Sequence, residues 1–197
     1  MTKRLVVATG NPGKLDEMRA YLTGIDVELR LKPPDLDVEE TGNTFLENAG
    51  LKATEVAQVT GEWAIADDSG LAVDALGGAP GVYSARYAAT DAERIARVLR
   101  ELETADSRKA QFVCAIAIAR PDGAIVAQLE GVCPGEIAEA PRGRQGFGYD
   151  PIFYVPEHQM TFAEMSPELK NQISHRGRAF AKLLPQLPAL LNRSEES

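Results

Sequence analysis

The chain has 197 residues, 44% hydrophobic and 25% charged, which suits a globular protein with one sizeable core. A net charge of −8 argues against a nucleic acid polymer as partner, since binding many phosphates wants a basic surface. No apolar run is long enough to span a bilayer, and "LVVAT" after Met1–Arg4 is too short for a signal peptide. The expectation is a cytoplasmic protein without membrane contact. Cys114 and Cys133 sit in separate apolar segments and read as reduced thiols. With two cysteines and two histidines, none at paired ligand spacing, any metal would take oxygen ligands, which points to magnesium or manganese.

Arg4–Thr9 reads as a strand, ended by the turn "GNPGK". From Lys14 to Thr23, Leu15, Met18 and Leu22 recur at helical spacing. Asp26–Leu31 alternates as a strand does, and Thr44 with Glu47 forms a capping-box pattern opening a helix to about Thr60. Trp63–Asp67 is a short buried strand followed by the Gly/Pro-rich stretch "LGGAPGVYSARYA". A second amphipathic helix covers Asp91–Glu103. Two further strands flank the hairpin signal Pro121-Asp-Gly123. Pro151–Val155 is another strand, and a helical region runs from Ser166 to about Leu191. Helix–strand alternation early and antiparallel pairing late imply an α/β protein with a mixed β-sheet.

Several stretches carry polar groups suited to chemistry. Thr9-Gly10-Asn11-Pro12-Gly13-Lys14 joins a strand to a helix, where backbone N–H groups can bind phosphate, although it is not a Walker loop. It reads either as a plain turn or as such a site. Lys52, four residues after Asn48, shares a helix face with Phe45, Ala49 and Val56, and is either a boundary residue or a cation aimed into a site. Asp67 and Asp68 end a buried strand, where carboxylates are costly unless a cation compensates them. As adjacent strand residues they point to opposite faces, so one can serve a site while the other braces structure. Gly143–Phe153 sets glycines around Phe147 and Tyr149, which suits a stacked planar ring or simply a tight loop. In "KNQISHRGRA", Ser174 either caps a helix presenting His175 and Arg176, or lies within a continuous helix. Together these features fit a purine nucleoside triphosphate held with a divalent metal.

"TGNPGK", "EETGNTFLENAGLKA", "ADDSGLAVDALGGAPGVYSARYA", "GFGYDPIF" and "KNQISHRGRA", in this order, resemble the signature blocks of the inosine/xanthosine triphosphate pyrophosphatase (HAM1-like) family. The resemblance runs from about residue 5 to residue 184. It implies an elongated mixed β-sheet flanked by helices, two lobes with a central cleft, and a homodimer. Residues 1–191 would then be one two-lobed nucleotide pyrophosphatase domain, with 192–197 a disordered tail. By the same resemblance Thr9, Gly10, Asn11, Pro12, Gly13 and Lys14 hold the triphosphate, and Lys52 steadies it as part of the catalytic set. Asp68 matches the catalytic acid and sits at the Mg²⁺ (Mn²⁺ substituting). Glu39 matches the other metal-associated acid, with Glu40 beside it as the alternative register. Ser69 would touch substrate, Phe147, Gly148, Tyr149 and Asp150 form the base-side loop, and Lys170, His175 and Arg176 close on the nucleotide.

The implied reaction converts ITP, dITP or XTP to the nucleoside monophosphate and pyrophosphate, cleansing the nucleotide pool. Two rivals are a pyrophosphatase for modified pyrimidine nucleotides and a non-catalytic purine nucleotide sensor.

Overall fold

The computed structural model describes residues 3–192. A seven-stranded mixed sheet has the order β2-β1-β3-β4-β5-β6-β7. β1 (Lys3–Val7) is parallel to β2 (Val27–Leu31) on one side and to β3 (Trp63–Val73) on the other. β4 (Lys109–Ala119) and β5 (Ile125–Ile137) follow, joined at the expected turn, where Gly123 N–H donates to the Arg120 carbonyl at 2.8 Å. β6 (Phe153–Val155) is antiparallel to both β5 and β7 (Met160–Thr161). The helices are α1 (Pro12–Tyr21), α2 (Phe45–Thr60), α3 (Asp91–Glu101), α4 (Pro167–Ile173), α5 (His175–Leu183) and α6 (Leu187–Asn192). Among the described residues no helix is long and apolar enough to cross a membrane.

Local chemistry explains the boundaries. Thr44 caps α2 through a complete capping box with Glu47, and Gly61 ends that helix in the left-handed region at φ 66°. α1 begins two residues before Lys14, because the Asn11 side chain accepts from Gly13 N and Lys14 N and Pro12 suits the first helical turn. The helical stretch after Ser166 divides into α4, α5 and α6. The first break is at Ser174, whose extended backbone and hydroxyl, accepting from Gly177 N at 3.2 Å, start a new helix. Asn192 closes α6, and the tail expected beyond it lies outside the described residues.

β3 runs six residues past Asp67 to Val73. The stretch after it is ordered by one 3₁₀ turn at Asp74–Leu76 and a six-residue 3₁₀ segment at Gly81–Arg86.

The chain divides into two compact units. The first comprises the chain up to Asp68, Cys114–Gly131 and the chain from Arg178 on. Its sheet is covered on both faces. Leu5, Val7, Trp63 and Ile65 pack with Met18 of α1 and with Phe180, Leu183 and Leu187 from α5 and α6. On the opposite face an alanine-rich layer (Ala8, Ala64, Ala66, Ala115, Ala117) meets Ala49, Ala53 and Ala57 of α2. Small residues on both sides let a helix approach its sheet closely.

The second unit is Ser69–Val113 with Val132–Gly177. Its core joins Ile95, Val98 and Leu102, from α3 and its C-cap, to Phe112, Phe153 and Phe162, with the Phe112 and Phe153 rings 4.6 Å apart. Cys114 and Cys133 are both buried, in different clusters, as expected of reduced thiols.

Gly70 marks a close approach in this second unit. A Cβ there would lie 2.3 Å from the Ser84 hydroxyl and 2.6 Å from the Gly81 carbonyl. The same hydroxyl accepts from Leu71 N and donates to Gly81 O, so it cannot move aside freely. Gly70→Ala is expected to destabilise the protein by roughly 1–3 kcal/mol; urea unfolding checks this, and an unchanged midpoint contradicts it.

Candidate active site

Strand alternation arranges the charged groups of the first unit. Trp63 and Ile65 face α1 while Ala64 and Ala66 face α2. Continuing that period sends Asp67 toward α1 and Asp68 toward α2. Asp67 Oδ2 lies 3.1 Å from Lys14 Nζ on α1. Asp68 Oδ1 lies 3.3 Å from Lys52 Nζ on α2, and its Oδ2 accepts from the Asn48 amide at 3.1 Å. Lys52 also bonds Glu40 Oε1 at 2.6 Å. Both aspartates are buried, and both lysines are mostly so.

Asn48 is completely buried and does two jobs. Its Oδ1 accepts from Gly42 N at 2.8 Å, which turns its NH₂ toward Asp68. Helix α2 is fixed in turn from the β4–β5 turn region, where Gln128 donates to the Leu46 carbonyl and Thr54 to the Gly123 carbonyl. Lys52 therefore reaches Asp68 from a braced helix.

The cluster brings the carboxylates of Glu40, Asp67 and Asp68 to the ammonium groups of Lys14 and Lys52. Burial raises the affinity of Asp68 for a proton. Lys52 and Lys14 oppose this, Glu40 adds to it, and the net pKa stands above the ordinary 3.8. For Lys52, burial works against the charge, but Asp68, Asp67 and Glu40 outweigh it and hold the ammonium above the ordinary lysine range.

A divalent cation suits this donor set. The oxygens are hard, and Glu40 and Asp68 share one lysine. Among the described residues no group of three or more His, Cys, Asp or Glu side chains is gathered for a metal. An ion held by two carboxylates and completed by phosphate and water is the pattern Mg²⁺ prefers.

The turn at α1 shows how Thr9–Lys14 is built. Thr9 Oγ1 accepts from Asn11 N, and Asn11 in turn occupies the Gly13 and Lys14 N–H groups. Gly10 has open space where a Cβ would be. A phosphate using the Gly13 and Lys14 donors must therefore displace the Asn11 side chain.

In the second unit a different set converges. Lys170 Nζ bonds Asp150 Oδ2 at 2.7 Å, both nearly buried, and lies 4.8 Å from the centre of the Phe147 ring. Asp150 also accepts from Phe147 N, while Tyr149 donates to the Ser84 carbonyl at 2.8 Å. Burial pushes the Tyr149 phenol well above its usual range, so it acts as a neutral donor. Arg176 donates to Ser69 Oγ at 3.0 Å, and the His175 ring stacks on Phe112 with centroids 4.6 Å apart.

These motifs and this fold occur together in known proteins. The profile described as the Ham1 family matches residues 5–186. The chain belongs to the Ham1 family. It is 67% identical over 196 residues to the dITP/XTP pyrophosphatase of Nostoc sp., covering 100% of both chains. It is 61% identical over 186 residues to the dITP/XTP pyrophosphatase of Synechocystis sp., covering 94% of this chain and 96% of the relative. Among solved structures, the HAM1 protein from Coxiella burnetii superposes with a TM-score of 0.88 at 49% identity, covering 95% of this chain and 99% of that one. The Staphylococcus aureus Ham1 protein gives 0.86 at 44% identity, with the same coverage.

At one position of this Ham1 chain the geometry bears on a choice that the sequence leaves open. Of the adjacent glutamates, Glu39 is exposed whereas Glu40 reaches the lysine bound to Asp68. Of the two registers that the sequence leaves open, Glu40 is the one that shares Lys52 with Asp68. Asn48, Ser84 and Asp91, which donates no motif of its own but accepts from Gly148 N at 2.9 Å, were not singled out from sequence as site residues. Asn48 had a signal, since it precedes Lys52 by four residues on the same helix. Ser84 acts through its carbonyl, and Asp91 sits on a helix distant in sequence, so neither had one.

The raised Asp68 pKa has a definite sign. Its ionisation costs the folded chain, so this group's contribution to stability is full below its unfolded value and is lost as pH rises through the folded one. A carboxyl-carbon NMR titration of the metal-free protein should give Asp68 a midpoint above 3.8; a midpoint below that value contradicts the assignment of burial as the stronger effect.

Proposed function

We propose that the chain hydrolyses the deaminated purine triphosphates dITP and XTP, with ITP, to the nucleoside monophosphate and pyrophosphate. The observation that carries this reading is the cluster of Lys14, Lys52, Asp67, Asp68 and Glu40 about β3, in a chain so similar to dITP/XTP pyrophosphatases. Lys14 and Lys52 offer ammonium groups to the triphosphate and offset charge that develops on the departing pyrophosphate. The turn Thr9–Lys14 contributes backbone donors. Asp68 positions the attacking water and accepts its proton, and its raised affinity for a proton suits that role. Asp67 keeps Lys14 in place.

Glu40 and Asp68 would hold Mg²⁺, which when bound neutralises phosphate charge and orients the reacting oxygens. Lys52, bonded to both carboxylates, holds them side by side for such an ion.

Selectivity rests on hydrogen-bond polarity at the purine 6-position. Inosine and xanthosine present a keto oxygen there, and adenosine an amino donor. Arg176, His175 and backbone N–H groups are donors and satisfy the first. Facing the second they stay unpaired, at roughly 1–3 kcal/mol for each buried group. Ser69 holds Arg176, Phe112 supports His175, and Lys170 with Asp150 supports the Phe147–Tyr149 loop against the base. The setting we assign is the cytoplasm, and the working form a homodimer.

The test is ³¹P NMR of dITP and dATP incubated with the protein, with and without Mg²⁺. The expected outcome is pyrophosphate and dIMP from dITP only when Mg²⁺ is present, with dATP turned over far more slowly. Equal turnover of the two substrates overturns the selectivity argument. Release of orthophosphate in place of pyrophosphate overturns the reaction.

A further inference from the structure

We infer that Asp91, on α3, is a positioning residue that fixes the Phe147–Asp150 loop for base recognition. The inference deepens the reading above and rests on its assignment of that loop to the purine.

Phe147 stands between two glycines in the left-handed region, Gly146 at φ 76° and Gly148 at φ 61°. Gly146 is required there for space as well, since a Cβ would meet Asp150 Oδ2 at 2.0 Å. Backbone flanked in this way can rotate its peptide planes at little steric cost. The aromatic ring keeps one orientation only if those planes are held by hydrogen bonds.

Three of the bonds that hold them bear directly on Phe147 and Gly148. Phe147 N–H donates to Asp150 Oδ2 at 2.9 Å, and the Phe147 carbonyl accepts from Asp150 N at 3.2 Å. The Asp150 end of the loop is tied from outside by Lys170, and Tyr149 is tied to the Ser84 carbonyl. The N–H of the Phe147–Gly148 peptide is held from α3: Gly148 N–H donates to Asp91 Oδ2 at 2.9 Å. The peptide joining Phe147 to Gly148 is therefore fixed at its carbonyl by the loop and at its N–H by the helix.

Asp91 is itself steadied. Its Oδ1 pairs with Arg94 Nη1 at 2.6 Å, and Arg94 Nε donates to the Ala88 carbonyl at 3.0 Å. Thr90 caps the helix with a complete capping box, so the residue next to it starts from a fixed backbone. The Asp91 side chain is 49% exposed, so its replacement removes an anchor and leaves the core untouched.

The test is calorimetric binding of the two products, dIMP and pyrophosphate, to the full chain and to Asp91→Ala and Asp91→Asn, together with hydrogen exchange of the Gly148 amide. Loss of one such bond predicts about a five-fold weaker dIMP affinity in Asp91→Ala, with pyrophosphate affinity within about two-fold of the parent. Asp91→Asn keeps an oxygen that accepts from Gly148 and should stay within about two-fold for both products. The Gly148 amide should exchange faster in the alanine variant alone. Unchanged dIMP affinity in Asp91→Ala, or equal weakening of both products, overturns the inference, as does an asparagine variant as impaired as the alanine one. If the parent protein binds pyrophosphate but not dIMP, the assignment of the loop to the purine fails, while the Gly148 exchange rates still decide whether Asp91 pins it.

Discussion

Two carboxylates at consecutive positions of one buried strand do not take the same ion-pair partner here. The pleat sends them to opposite faces, and each face must supply its own cation. In the first unit that constraint fixes much of the rest. α1 brings Lys14 to Asp67 and α2 brings Lys52 to Asp68, with each helix seated on its own apolar layer. The alanine layer beneath α2 is what lets a long lysine lie along the sheet and reach a strand carboxylate. Without these pairs, β3 would have a steep desolvation cost at its centre. With them, it continues to Val73 and carries Ser69 and Gly70 on into the second unit.

Carboxylates crowd this cluster. Lys52 serves two acids at once, and Glu40 comes from a loop held to α2 by the Gly42–Asn48 bond. In the proposed reaction this crowding is useful. A site that is over-supplied with carboxylate attracts a divalent ion and, through it, a polyanionic tail that the −8 chain would otherwise repel.

Much of this was legible in the sequence where one residue determines its own surroundings. Thr44 and Glu47 announced the start of α2, Pro121–Gly123 announced the β4–β5 turn, and the alternation through Trp63–Asp67 foretold that the two aspartates diverge. The end of β3 was not legible, because whether a strand can continue through two acids depends on lysines far away in the chain. Ser174 posed the same difficulty, since periodicity fits a continuous helix as well as a capped one and only the Gly177 bond decides it. The choice between Glu39 and Glu40 lay beyond sequence for a related reason: an irregular loop has no period from which to read direction. Asp91 lay furthest from view, being tied to a backbone N–H 57 residues away.

Division of labour between neighbouring acids is most directly examined by steady-state dITP hydrolysis with Asp67→Asn and Asp68→Asn side by side, each shown by circular dichroism to be folded. Asp68→Asn should lower kcat by about 10²–10⁴-fold, the span expected for loss of a positioned base. Asp67→Asn should act chiefly on KM, through the lysine it holds. Equal losses of kcat in both variants, or a near-normal Asp68→Asn enzyme, would contradict the separation of roles across the strand.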